Sequence, residues 1–156
     1  SLQGVTAAPG AREAITVVAR SSLAQALLAD AQPFTLVQLL RVLRIDGTLP
    51  PPGELFDAGC VTLSCEVGVR KPSPSLYQAC LDRFAEREIE AGEILHVGSR
   101  LRDDLAVARG FGMRTALYAG DQAGFEASKD DVRDAGLKPD RLLTELSQIR
   151  TVLSIE

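Results

Sequence analysis

An α/β fold, with a parallel sheet covered by helices on both faces, is the class this sequence predicts. Three observations predict it. Short β-branched or aliphatic runs recur along the chain, each ended by a polar residue or glycine. Amphipathic stretches at helical spacing lie between them. The length of 156 residues suits one domain with a substantial core.

The elements are expected in the following order. ITVVA, residues 15–19, reads as the first strand. SSLAQALLADAQPFTLVQLLRVLRI, residues 21–45, reads as helical: Leu23, Leu27 and Leu28 keep helical spacing after a serine cap. Pro33 divides it, and Leu36, Leu39, Leu40 and Leu43 continue the pattern. GTLPPPGE, 47–54, reads as an extended loop, because three prolines remove donors and fix the backbone. CVTLS, 60–64, is the second strand. PSLYQACLDRFAERE follows as a helix, with Pro74 in its first turn and Leu76, Ala79, Cys80 and Phe84 on one face. EILHVG, 93–98, is the third strand, and DDLAVARGFG a helix stopped by Gly110 and Gly112. RTALYAG, 114–120, is the fourth strand. FEASKDDVRDAG, 125–136, reads as a charged surface helix. KPDRLLTELSQIRTVL then places Leu142, Leu143, Leu146, Ile149 and Leu153 in a last strand and helix.

Composition excludes several partner classes. Seventeen basic against 21 acidic residues give a net charge of −4 without a basic stripe, which argues against nucleic acid or anionic lipid. No apolar run approaches the roughly 20 residues that cross a bilayer. Cys60, Cys65 and Cys80 are odd in number, lack CxxC spacing and have only His96 to join them. Neither a disulfide framework nor a zinc site follows, and reduced thiols fit a cytoplasmic protein. SLQGVTAAPGA lacks the charged start and apolar centre of a signal peptide.

The chemistry concentrates in GCVTLSCEVGVRKPSPSLYQACL, 59–81, and EILHVGSRLRDDLAVARGFGMRTALY, 93–118. Strand, Gly-x-Arg-Lys-Pro, helix, strand, Gly-x-x-x-x-Asp-Asp, helix, Gly-Met-Arg-Thr, strand resembles the second half of the haloacid dehalogenase (HAD)-like hydrolase superfamily. The likeness runs over about residues 10–153. It implies a HAD-like Rossmannoid sheet and a phosphatase acting on a small phosphorylated metabolite through an aspartyl-phosphate. It places Lys71 on the third motif, Asp104 on the second acid of the fourth, and Ser99 where that motif's first acid stands. Strict spacing puts Ala19 on the second motif's hydroxyl position, with Ser21 two residues late.

These residue types suit that chemistry. A phosphoryl centre spreads negative charge, so a lysine at a strand end stabilises it, while carboxylates at a neighbouring strand end hold Mg²⁺. Pro72 keeps the Lys71 loop extended. Asp104, and less directly Asp103, fit a metal-ligand role or the acidic first turn of a helix. Ser99 weakens the Mg²⁺ site, because a hydroxyl is a poor substitute for a carboxylate on a hard cation. Ser21 fits either a phosphate donor or a helix cap. His96 reads as a polar-tipped core residue.

One motif is absent. The resemblance implies an Asp-x-Asp box at the end of a strand before ITVVA, and SLQGVTAAPGARE contains no Asp. RIDGTL, 44–49, has Arg44 where the nucleophile would stand, and only 24 residues lie between Asp46 and Lys71. That leaves no room for the intervening elements, so Asp46 and Gly47 read as turn residues. The expectation is a single domain over 1–156, or the C-terminal part of a longer protein, catalytically incomplete as it stands. Its sheet lacks the central first strand, leaving two edges to be closed by re-pairing, by a homodimer or by an N-terminal segment.

Two other functions compete. One is a non-catalytic HAD-like binding or regulatory module. The other is a metal-independent haloacid dehalogenase, whose Ser five residues before the acid is matched by Ser99 and Asp104, with Leu101 where Asn is expected. No GxGxxG follows the first strand, against dinucleotide binding.

Overall fold

Residues 15–19, expected as a strand, are the second half of a helix, α1 (Ala11–Ala19). This is seen in a computed structural model that describes residues 9–32, 35–44, 49–57, 59–120, 131 and 133–155. Gly10, at φ 80°, turns the chain into α1. Ala14, Val17 and Val18 pack on one side and Ile15 and Ala19 on another, a spacing that only a helix provides. A β-branched residue lowers helix propensity by no more than about 0.7 kcal/mol, whereas full burial of a valine is worth about 1.5–3 kcal/mol. Packing decides against local preference.

The strand signal moves to β1 (Leu27–Ala29), inside the stretch expected to be helical. Leu27 packs with Ile15, Ala19, Leu40 and Phe56 on one face of the sheet. Leu28 packs on the clusters around Tyr77 and Phe84. A strand covered on both faces shows no alternation, which is why its short apolar run resembles helix. α2 (Thr35–Arg44) then forms as expected, with Leu36 and Leu40 inward. The third proline starts a single helical turn, α3 (Pro52–Leu55), where the sequence suggested extended loop. Pro33, Asp46 and Gly47, and most of the helix expected at 125–136, lie outside the described residues.

β2 (Val61–Leu63) leads through α4 (Ser64–Val67) to α5 (Pro74–Ala85), which buries Leu76, Tyr77, Cys80 and Phe84. β3 (Leu95–Gly98) runs into a π-type turn, Leu101–Leu105, and α6 (Ala106–Gly110). β4 (Arg114–Tyr118), β5 (Arg141–Leu143) and α7 (Ile149–Leu153) complete the order. Cys60 and Cys80 are buried free thiols, and Cys65 is exposed and free. No described helix is long and apolar enough to cross a membrane.

The strands form two separate parallel sheets, β1–β2 and β3–β4–β5. Among the described residues no strand joins β1 to β3. Helices span the division: α1 contributes to the cluster of Ala116, Leu143 and Ile149 on one sheet and to that of Leu27 and Leu40 on the other. On the opposite face Leu28 and Ile94, which flank the division, share the same two clusters. A lane between β1 and β3 is thus roofed by side chains, while its two strand edges have no ladder partner among the described residues. Exposure follows this: Thr115, Ala116 and Leu117 of β4 are at most 1% exposed, whereas β1 is only half-buried and Val97 of β3 is 38% exposed. Among the described residues the edges of β1 and β3 do not re-pair, which agrees with the gap expected for a sheet without its first strand.

Candidate functional site

Two loops meet at the C-terminal ends of the strands. Ser64 Oγ accepts the Ala31 N–H at 2.8 Å and donates to the Ala31 carbonyl at 3.2 Å, tying the chain after β1 to the chain after β2. One residue earlier, Asp30 Oδ1 accepts the backbone N–H of Lys71 at 2.8 Å. Gly68, at φ 88°, ends α4 and starts the turn that carries Lys71, whose peptide to Pro72 is cis. From the other sheet, Leu101 and Leu105 bury against Leu117, which fixes the turn after β3 and turns Asp104 inward.

Asp104 is 4% exposed and is the centre of the site. Its Oδ2 lies 3.0 Å from Lys71 Nζ. Its Oδ1 accepts the Tyr77 hydroxyl at 2.7 Å and faces His96 Nε2 at 2.6 Å. An ionised carboxylate only accepts, so Nε2 is the protonated ring nitrogen in this arrangement. Gly98 lets the carboxylate approach: a Cβ there would lie 2.5 Å from Oδ2. Burial, the hydrogen bond to Asp104 and its charge together raise the Tyr77 phenol far above its ordinary value, so it stays a donor.

Burial alone would raise the Asp104 carboxyl, but the hydrogen bond and charge of His96, then Lys71 and Tyr77, outweigh it and hold it at about 2. A folded value depressed from 3.8 to about 2 contributes stability that is fully present above the unfolded value. That contribution is lost as pH falls from about 4 through 2. Urea midpoints across this window are expected to show a loss of about 2 kcal/mol that is absent in Asp104→Asn.

The other expected residues are distributed differently. Asp103 is exposed, and its carbonyl is 3.4 Å from the Tyr77 hydroxyl. Ser99 is exposed at the end of β3. Ser21 is not brought to Lys71. It follows α1, before the N-terminal end of β1, with Oγ donating to the Val18 carbonyl at 2.6 Å and accepting the Leu23 N–H at 3.1 Å. It therefore closes the preceding helix, and lines a cleft of about 240 Å³ with Asp57 and Arg87. The chain leaves β1 through Ala29 and Asp30, neither of which carries a hydroxyl. His96 is not a plain core residue, since it bonds Asp104. Tyr77 and His96 are the site residues that the sequence reading missed.

A family model described as HAD-hydrolase-like matches residues 68–149, from the turn before Lys71 to the start of α7. The chain belongs to the HAD-like hydrolase family. Its α/β order and parallel sheets are those of a HAD-like chain. A glyceraldehyde 3-phosphate phosphatase of Pyrococcus furiosus is 26% identical over 149 residues, 95% of this chain and 55% of its own length. HAD-hydrolase YfnB from Bacillus subtilis, described as bound to magnesium, superposes with a TM-score of 0.72 at 16% identity, over 94% of this chain and 55% of that one. L-2-haloacid dehalogenase from Xanthobacter autotrophicus gives 0.68 at 21% identity, over 96% and 61%. The HAD-like chain thus spans only about half the length of these relatives.

The family generally uses Mg²⁺, and the donors here do not fit it. Among the described residues no three His, Cys, Asp or Glu side chains converge on one point. Ser99 supplies no carboxylate, and both oxygens of Asp104 are already occupied.

Proposed function

We propose that this HAD-like chain supplies the lysine and fourth-motif half of a hydrolase site for a small phosphorylated metabolite. The 3.0 Å Lys71–Asp104 pair, held where the lane between β1 and β3 opens, is the observation that carries this reading. Lys71 Nζ offers fixed positive charge to a phosphoryl group, and Asp104 fixes where that charge lies. The relative that hydrolyses a phosphate ester supports the substrate class. The nucleophilic carboxylate would enter on an extended segment seated in the lane, from a segment preceding these residues or from another chain that carries the Asp-x-Asp box these residues lack. It would attack phosphorus, expel the alcohol and leave an aspartyl-phosphate for water to hydrolyse. Under this reading residues 1–156 act as one domain or as the C-terminal part of a longer, cytoplasmic protein.

The test is hydrolysis of p-nitrophenyl phosphate by the chain, alone and with a synthetic strand peptide ending in Asp-x-Asp. The chain alone is expected to be inactive, and the mixture to turn over with at least a hundredfold dependence on Lys71, read with Lys71→Met. Peptide bound between β1 and β3 without hydrolysis, or robust hydrolysis by the chain alone, would overturn the reading. A monomeric mass at all concentrations would remove a homodimer as what closes the lane.

A non-catalytic binding module is the second reading. The end of β1 favours it: Asp30, a carboxylate, stands beside the Lys71 loop where a phosphate would need a donor. The inactive peptide-bound outcome is the one it predicts.

A further inference from the structure

We infer that Asp104 is closed to divalent cations, and that the ammonium of Lys71 and the donors of Tyr77 and His96 are what close it. This inference stands whether or not the chain is half of a hydrolase, because it concerns one carboxylate and its four neighbours. Oδ1 receives two donors at 2.7 and 2.6 Å, which uses both of its lone-pair directions. Oδ2 receives the Lys71 ammonium at 3.0 Å, and its remaining side is pressed against Gly98, where there is no room for even a methyl group.

A Mg²⁺ ion needs an oxygen at about 2.0–2.1 Å and an octahedral shell of further oxygens. To reach Oδ2 it must sit beside a positive charge 3.0 Å from that same oxygen, inside a site shielded from water. To reach Oδ1 it must displace two hydrogen bonds, leaving the part-buried His96 Nε2 without this acceptor and the buried Tyr77 hydroxyl with only the Asp103 carbonyl at 3.4 Å. Among the described residues no set of carboxylates completes the shell: Ser99 is a hydroxyl, Asp103 is exposed, and Asp30 accepts the backbone N–H of Lys71. Asp104 is instead the acceptor of an internal hydrogen-bond network.

Mn²⁺, followed by electron paramagnetic resonance, is the probe. In the unmodified chain and in Ser99→Asp, Mn²⁺ affinity is expected to be unchanged by adding Asp104→Asn. In Ser99→Asp with Lys71→Met, which frees Oδ2, affinity is expected to rise at least tenfold, and Asp104→Asn should abolish the rise. A tenfold loss on Asp104→Asn while Lys71 is in place would overturn the inference. So would no gain on Lys71→Met, because the network would then not be what keeps the cation out. Should Asp104→Asn fail to fold, the ¹³Cγ resonance of Asp104 in the unmodified chain decides. It is expected to stay fixed on adding Mg²⁺ in large excess over the protein, and a shift would refute closure. Failure of the phosphatase assay leaves all of these outcomes readable.

Discussion

Asp104→Ala is expected to destabilise the fold by about 3–5 kcal/mol, the range for removing one partner from a buried charged pair. The loss exceeds that of one hydrogen bond because three donors lose their acceptor together. Lys71 Nζ, the Tyr77 hydroxyl and His96 Nε2 all converge on this carboxylate. Tyr77 is fully buried, so its hydroxyl has no water to turn to. Against a typical total of about 5–15 kcal/mol this is a large fraction. Urea denaturation should show a lowered midpoint with an unchanged slope, the signature of lost native stability. Asp103→Ala, one residue away but exposed, is the control, expected within about 0.5 kcal/mol of the parent. Equal effects at the two positions would mean that the network does not stabilise the fold.

Gly98→Ala is expected to cost about 1–3 kcal/mol, the range for forcing an extra methyl into a packed site. The added carbon would meet Asp104 Oδ2 at 2.5 Å and Leu105 Cδ2 at 3.2 Å. Backbone conformation is not the obstacle, since Gly98 lies in an ordinary strand. The carboxylate must move, and with it the alignment to Lys71. The acid limb of the stability profile should therefore shift upward, as the Asp104 carboxyl returns toward its ordinary 3.8. Because both substitutions act on one network, Gly98→Ala and Asp104→Ala should combine to less than their sum. Additive losses would show that Gly98 and Asp104 are independent.

From Cys60 onward the chain was legible because its signals agree with one another. Strand runs, Pro74 at a helix start and glycine stops all point to the elements observed, and Lys71 and Asp104 lie in the segments that follow β2 and β3, 3.0 Å apart. The N-terminal third was misread for one physical reason. Ile15, Val17 and Val18 have strand propensity but helical packing, while Leu27–Ala29 is half-buried with side chains packed on both faces and so carries no period. Ser21 was placed near a phosphate only because β1 was set twelve residues too early, counting from Ile15 to Leu27.

The two missed site residues did leave signals. His96 is two residues before Gly98, so both lie on the same face of β3, the face against which Asp104 packs. Tyr77 is three residues before Cys80, and so belongs to the buried face of α5. Neither signal says what the side chain meets, because that depends on how the turn after β3 docks against α5. The split sheet was legible only through the absent first motif.

That open lane is the most direct point of test, through amide hydrogen exchange in the dilute chain. β4, paired on both sides by β3 and β5, is expected to be the best protected strand. The amides of Leu27–Ala29 and Leu95–Gly98 that face the lane have no ladder partner among the described residues, and are expected to exchange at least about a hundredfold faster. Their protection should rise when the Asp-x-Asp strand peptide is added. Protection of β1 and β3 equal to that of β4 in the dilute chain alone would contradict the open lane, and with it the account of this chain as one half of a HAD-like site.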